Sequence, residues 1–216
     1  MRFNWFFFDL DGTLIDTLPG IQYSADQAIK IVLPGHSSIN LANWIGPPIR
    51  TIFSNALPGL ESSLLGALEK EFRISYDQEG WKRSKPYDGV LETLAWLNDK
   101  NKKSLIITNK PRYAAQSIIN YFKLGQYFIE IITPDSNSPQ FESKLTMAQF
   151  LISKYWLKNE EILFIGDSMD DYLAAQSNNI QFAGVVYSYG RLERKPNEGN
   201  GFLPLKSFSD IRQLLE

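Results

Sequence analysis

The sequence predicts an α/β fold: a doubly wound, Rossmann-like, mainly parallel sheet with an inserted all-helical cap domain. Three observations predict it. Short apolar runs that lead into acidic or hydroxyl residues, directly or through one Gly, recur at Phe3 to Phe8, Ser104 to Ile107 and Ile162 to Ile165. From residue 90 onward such runs alternate with segments of helical apolar spacing, the pattern of parallel strands joined by crossover helices. Residues 17 to 80 carry helical spacing alone, so no strand is expected there.

Each element follows from its residues. Phe3-Asn4-Trp5-Phe6-Phe7-Phe8 is almost continuously apolar, as a strand buried on both faces must be. It ends at Asp9-Leu10-Asp11-Gly12-Thr13. Pro19 suits the first turn of a helix capped by Asp16 or Thr17. Ile21, Ala25, Ala28, Ile29 and Val32 carry that helix to Leu33-Pro34-Gly35. A second helix spans about Pro47 to Leu57, and a third carries Leu60, Leu64, Leu65, Leu68 and Phe72. Lys85-Pro86-Tyr87-Asp88-Gly89 reads as the return linker. The expected boundaries are therefore a core of residues 1–16 and 84–216 and a helical cap of residues 17–83.

Within the core, Val90 to Leu97 is expected as a helix and Ser104 to Thr108 as a strand. Pro111 opens a helix ending near Gly125, and Phe128 to Ile132 forms the next strand. Lys144 to Tyr155 is a helix, Ile162 to Ile165 a strand, and Asp170 to Asn178 a helix. A short strand at Phe182 to Val186 and a last helix near Ser209 to Leu215 complete the order. The polar, irregular segment 188–201 is expected to be a surface loop.

Composition narrows the function. An apolar fraction of 44% with 14 Phe among 216 residues supplies a packed core. The absence of Cys excludes disulfides and thiolate chemistry. A formal charge of −2 lacks the basic excess of a nucleic-acid binder. No apolar stretch approaches the ~20 residues of a membrane span. The first residues lack a secretory cleavage pattern. A soluble, cytoplasmic protein with neither nucleic acid nor membrane as partner is the expectation.

The chemistry sits at strand ends. In parallel sheets, ligands bind beyond the carboxyl ends of the strands. Three such ends would gather Asp9, Asp11, Thr108, Asn109, Asp167 and Asp171, with Lys144 at a helix start between the second and third. Two carboxylates two residues apart repel each other unless a cation or a shared proton intervenes. An Asp-Gly turn alone would account for Asp11-Gly12 but not for the other acids. An all-oxygen set suits Mg²⁺ and not Zn²⁺, which prefers nitrogen and sulfur.

Asp9-Leu10-Asp11-Gly12-Thr13, Thr108-Asn109, Lys144 and Gly166-Asp167 with Asp171 resemble the four motifs of the haloacid dehalogenase-like hydrolase superfamily. The helical insertion after the first motif is similar to the small cap of its phosphoglycolate phosphatase-like branch. Thr108-Asn109-Lys110-Pro111, Tyr87-Asp88-Gly89-Val90 and the stretch from Asn43 to Arg50 resemble that branch too. The resemblance implies a Mg²⁺-dependent phosphatase acting on a small phosphorylated metabolite, with 2-phosphoglycolate favoured. It implies Asp9 as nucleophile, Asp11 as general acid and base, and Lys144 as the neutralising cation. The metal would be held by Asp9, the Asp11 backbone carbonyl and Asp167, with Asp171 orienting Lys144 or a metal-bound water. Thr108 and Asn109 would bind the phosphoryl group.

Other readings stay beside these. Leu145 stands where the branch usually has Pro after its motif Lys, and Lys154 and Lys158 are the lesser alternatives to Lys144. Arg50 is either the cap cation that meets a substrate carboxylate or an ordinary exposed helix residue. Lys110 is expected to be solvated, and Asp170 to be a solvated acid at a helix N-terminus. Asp11 argues against dehalogenase chemistry, since those relatives lack this second acid. A phosphomutase of the β-phosphoglucomutase kind, a pyrophosphatase or a nucleotidase shares the fold. The intact acids argue against a non-enzymatic regulatory protein.

Overall fold

The apolar run after Asn4 forms strand β1 (Trp5–Phe8), and Phe6, Phe7 and Phe8 are fully buried. This is seen in a computed structural model that describes residues 3–42, 44–189, 192 and 202–215. The chain then passes through β2 (Ile15–Asp16) into helices α1 (Leu18–Val32), α2 (Ile49–Ala56) and α3 (Ser62–Gln78). It returns through β3 (Lys85–Pro86) and alternates α4 (Val90–Asp99), β4 (Lys103–Ile107), α5 (Arg112–Tyr121) and β5 (Glu130–Ile132). The remainder is α6 (Lys144–Tyr155), β6 (Ile162–Gly166), α7 (Met169–Ser177), β7 (Gln181–Val185) and β8 (Phe202–Leu205). Two units result: Met1–Ile15 with Pro86–Glu216, and Asp16–Lys85.

The larger unit is a six-stranded sheet in the order β5-β4-β1-β6-β7-β8, with every neighbouring pair parallel. β1 lies between β4 and β6, with Phe7 in register with Leu105 on one side and Phe164 on the other. After β1 the strand order runs outward in both directions. That reversal is the switch point at which such sheets open a crevice beyond their strand ends. Alternating side chains serve the two faces of β1. Phe7 packs with Phe164, Met147, Leu151 and Phe182. Phe6 and Phe8 stack on each other, and Phe8 meets Phe128 and Phe208. A strand flanked in this way cannot alternate apolar and polar residues.

In the smaller unit α1 buries Ile21, Ala25, Ala28 and Ile29, and α3 buries Leu68, Phe72 and Tyr76. Phe53 of α2 meets Phe72 edge-on, with ring centroids 6.2 Å apart. Thr17 takes the N-cap position of α1 without a side-chain capping bond to the helix, while the Leu18 amide donates to Asp16 Oδ1 at 3.3 Å.

Several expectations shift. Strand β8 is not among the expected elements, and its four residues include Pro204. Proline is tolerated on an edge strand, and β8 is one. The expected last helix is a 3₁₀ turn, Phe208–Arg212, held by Ser207 and Asp210. Helix α5 ends at Tyr121, and Gly125–Tyr127 forms a 3₁₀ turn of its own. Of the segment expected as a surface loop, residues 190, 191 and 193–201 lie outside the described residues, as does Asn43. The described part is not all surface, since Leu192 is buried in the core. Among the described residues no helix is long and apolar enough to cross a membrane.

Candidate active site

Each loop at the switch point begins by prolonging a ladder. The Asp9 amide donates to the Ile165 carbonyl at 2.9 Å, and the Thr108 amide to the Ile132 carbonyl at 3.1 Å. Beyond Asp9 the chain turns tightly, with the amides of Leu14 and Ile15 returning to the Leu10 carbonyl. Gly12 serves this turn with φ +79°, and a Cβ there would also collide with Asp167 Oδ2. Only glycine satisfies both demands.

Two helix starts bring in the remaining groups. Helix α6 is capped by Ser143 in a box with Thr146, which sets Lys144 as its first residue. Helix α7 is capped by Ser168 in a box with Asp171, whose Oδ2 accepts from the Ser168 amide at 3.1 Å. The Ser-x-x-acid spacing is the local sequence cause of that box. It leaves Asp171 Oδ1 for Lys144 Nζ, at 2.6 Å. The same ammonium lies 2.7 Å from Asp9 Oδ1. Gly166 makes room, because a Cβ there would strike the Asp171 side chain.

Burial governs the electrostatics. Asp9 is held well above the usual carboxylate range by burial, which outweighs the attraction of Lys144 and is reinforced by Asp171 and Asp167. Burial, then the neighbouring Asp171 charge, pushes Asp167 up to about 7. Burial alone would lower the Lys144 ammonium, but Asp171 and Asp9 hold it well above its ordinary value. Asp9, Asp167 and Asp171 each offer a buried oxygen, all within 4.8 Å of one another. Three carboxylates against one ammonium leave excess negative charge, and an all-oxygen donor set fits a hard divalent cation. The residues present therefore fit a divalent metal.

The structure places the other expected residues as follows. Thr108 is 1% exposed, and its Oγ1 accepts from the Lys110 amide at 3.2 Å. Asn109 Nδ2 donates to Asp170 Oδ2 at 2.8 Å, so Asp170 is exposed yet partnered. Lys110 corrects the expectation of a solvated side chain: it is 8% exposed and forks onto both Asp11 oxygens at 2.9 and 3.0 Å. The Asp11 carboxylate thus faces a second ammonium and is not one of the three clustered acids. Of the lysine alternatives, Lys154 pairs with Glu130 and Lys158 with Glu161, leaving Lys144 as the one among these acids. Arg50 donates to the Ser62 carbonyl and hydroxyl at 3.0 and 2.8 Å and lies 3.6 Å from Glu69, all within the helical unit.

Sequence reasoning missed two further neighbours. Ser188 Oγ donates to Asp167 Oδ2 at 2.9 Å, and Tyr187 Oη to the Thr13 carbonyl at 2.7 Å. Both follow β7 closely, so the strand-end logic applied to β1, β4 and β6 would have found them.

Residues 6–185 match the haloacid dehalogenase-like hydrolase family. The chain is 32% identical over 188 residues to phosphoglycolate phosphatase 1 of Pseudomonas aeruginosa, covering 84% of this chain and 69% of that protein. It is also 32% identical over 190 residues to the phosphoglycolate phosphatase of Photobacterium profundum, covering 84% and 82%. The crystal structure of a predicted phosphoglycolate phosphatase from Haemophilus somnus matches with a TM-score of 0.83 at 27% identity, over 100% of this chain and 99% of that one. With its sheet order and strand-end acids, the chain belongs to the haloacid dehalogenase-like hydrolase superfamily, in the phosphoglycolate phosphatase-like branch.

Proposed function

We propose that this phosphoric monoester hydrolase is Mg²⁺-dependent and cleaves a small phosphorylated metabolite, 2-phosphoglycolate above others, through an aspartyl-phosphate on Asp9. The observation that carries the reading is the buried Lys144 ammonium between Asp9 and Asp171, with Asp167 beside them. A cytoplasmic setting belongs to the same proposal.

Asp9 attacks phosphorus, forming its bond to an oxygen of Asp9 as the bond to the ester oxygen breaks. Asp11 gives its proton to the departing alcohol. It then takes a proton from the water that attacks phosphorus and frees Asp9. Lys110 holds the Asp11 carboxylate at the point of this exchange. Lys144 offsets charge on Asp9 and on the transferring group. Thr108 supports phosphoryl binding, because its Oγ1 accepts from Lys110 and, among the described residues, its own proton has no acceptor. The Asn109 backbone would assist. Asp9, the Asp11 backbone carbonyl and Asp167 would hold Mg²⁺, with Asp171 orienting Lys144. When bound, the ion offsets repulsion between the Asp9 carboxylate and the phosphate dianion.

The helical unit is the proposed cap, and Arg50 its proposed carboxylate reader. To act so, the guanidinium must exchange Glu69 or Ser62 for substrate. A panel of phosphorylated metabolites with Mg²⁺, read by phosphate release, tests the proposal. Fastest turnover of 2-phosphoglycolate is expected. Phosphoryl transfer to a second sugar hydroxyl would favour a mutase, and release from pyrophosphate or nucleotides alone would replace the substrate class.

A further inference from the structure

Asp167 is held differently from the acids beside it. Asp9 is anchored by a buried ammonium, and Asp171 by the same ammonium plus the amide and hydroxyl of Ser168. Among the described residues, the Ser188 hydroxyl is the one hydrogen-bond donor to Asp167. A carboxylate with a single neutral anchor has more freedom to rotate than one pinned by a charge. That difference matters most in a residue expected to present an oxygen to a metal.

The segment carrying Ser188 is itself tied down. Tyr187 Oη donates to the Thr13 carbonyl, in the turn that follows Asp9 and Asp11. The Tyr187 ring packs edge-on against Tyr87, with centroids 5.0 Å apart. The same oxygen, Asp167 Oδ2, lies against Gly12, where a side chain would collide with it and come within 3.1 Å of the Tyr189 ring. Asp167 Oδ2 therefore meets both the turn after β1 and the segment after β7. The tether runs from Thr13 through Tyr187 and Ser188 to the carboxylate.

We propose that Ser188 is a positioning residue for the metal acid Asp167, and that Tyr187 fixes the segment from which Ser188 acts. The inference rests on the divalent-metal reading of the acid cluster. Ser188 touches neither substrate nor metal; it holds the Asp167 carboxylate in the orientation that completes the cluster with Asp9. Removing a partner of this kind characteristically weakens metal binding without removing a ligand.

The experiment is calorimetric titration of the full chain with MgCl₂ alone, without substrate. Ser188→Ala is expected to weaken Mg²⁺ binding by roughly 10–100-fold, and Ser188→Thr, which keeps a hydroxyl, to recover most of it. Tyr187→Phe keeps the ring and should weaken binding by a smaller factor. In turnover the Ser188→Ala defect should appear as a raised Mg²⁺ requirement that excess Mg²⁺ relieves. A role confined to folding would instead lower the melting temperature without metal and leave Mg²⁺ affinity alone. Ser188→Cys, close in size with a much weaker donor, separates the same two outcomes if the alanine variant does not fold. Equal Mg²⁺ affinity in wild type, Ser188→Ala and Ser188→Cys would overturn the positioning role and leave the phosphatase reading intact. A wild-type protein that binds no Mg²⁺ would overturn the metal reading and this inference together.

Discussion

In the α/β unit the side chains of Lys144, Asp9 and Asp171 are at most 6% exposed, whereas in the helical unit those of Arg50 and Glu69 are 43% and 25% exposed. Both are ion pairs by distance, and they differ in kind. Burying an ion costs several kcal/mol, which its partner only partly offsets. Three buried acids around one ammonium are thus a poor way to stabilise a fold. Exposed pairs are screened and contribute about 0–1 kcal/mol. The comparison teaches that charge in the first unit is organised against the demands of stability, as a reactive site requires. Charge in the second follows the ordinary rules of a helical surface.

The largest expected effect belongs to Asp9. Asp9→Asn keeps volume and removes the nucleophile, so turnover should fall by roughly 10⁴-fold or more with the fold retained. Phosphate release together with far-UV circular dichroism checks both halves. Turnover near the wild-type rate would strip the buried cluster of its chemical role.

Lys144→Met comes next and bears directly on the contrast. It leaves Asp9 and Asp171 buried without their ammonium, a loss of roughly 3–5 kcal/mol in a denaturant titration. A loss no greater than that of Arg50→Ala would break the comparison.

Asp167 sharpens it through pH. Its carboxyl is raised from 3.8 to about 7 by burial and by Asp171, so the folded protein keeps a proton that the unfolded chain has already released. Without metal, stability should therefore fall as pH rises from about 4 to about 7. The raised Asp9 adds to the same trend. Asp167→Asn should lose Mg²⁺ binding yet melt higher than wild type at pH 8 in chelator, by ~4–8 °C for a gain of ~2 kcal/mol. Melting curves in chelator at pH 5 and pH 8 are the measurement. A variant that melts lower at pH 8 would show that Asp167 is not repelled in the folded state.

Arg50→Ala carries the smallest effect. Because its side chain is 43% exposed and already shared with Ser62 and Glu69, the loss in kcat/KM on 2-phosphoglycolate should be roughly fivefold, ~1 kcal/mol. Hydrolysis of p-nitrophenyl phosphate, which has no carboxylate, should not change. Equal losses on both substrates would assign Arg50 to α2–α3 packing alone.

Strand-end residues are legible because an apolar run that halts at an acid is a local pattern. Asp9, Thr108 and Asp167 each stand directly after such a run, and Lys144 opens a helix whose cap box is written in Ser143 and Thr146. Lys110 is misread from sequence because burial is not local. A lysine before proline looks solvated until β4 is set beside β1 and Asp11 comes within 3 Å of it. Ser188 stands just past the end of β7, where strand-end logic reaches it, but its pairing with Asp167, 21 residues away, is set only by the fold.

The sequence by itself determined the alternation of elements, the helical insertion, and the identity of the acids and lysine at the strand ends. Periodicity, capping and motif spacing act over a few residues and survive in one dimension. Only the tertiary structure decided the partners: which ammonium serves which carboxylate, that Asp11 answers to Lys110, and that Asp167 hangs on Ser188. Charge and hydrogen bonding fall off within a few ångströms, and which distant residues come that close is set by strand order and packing.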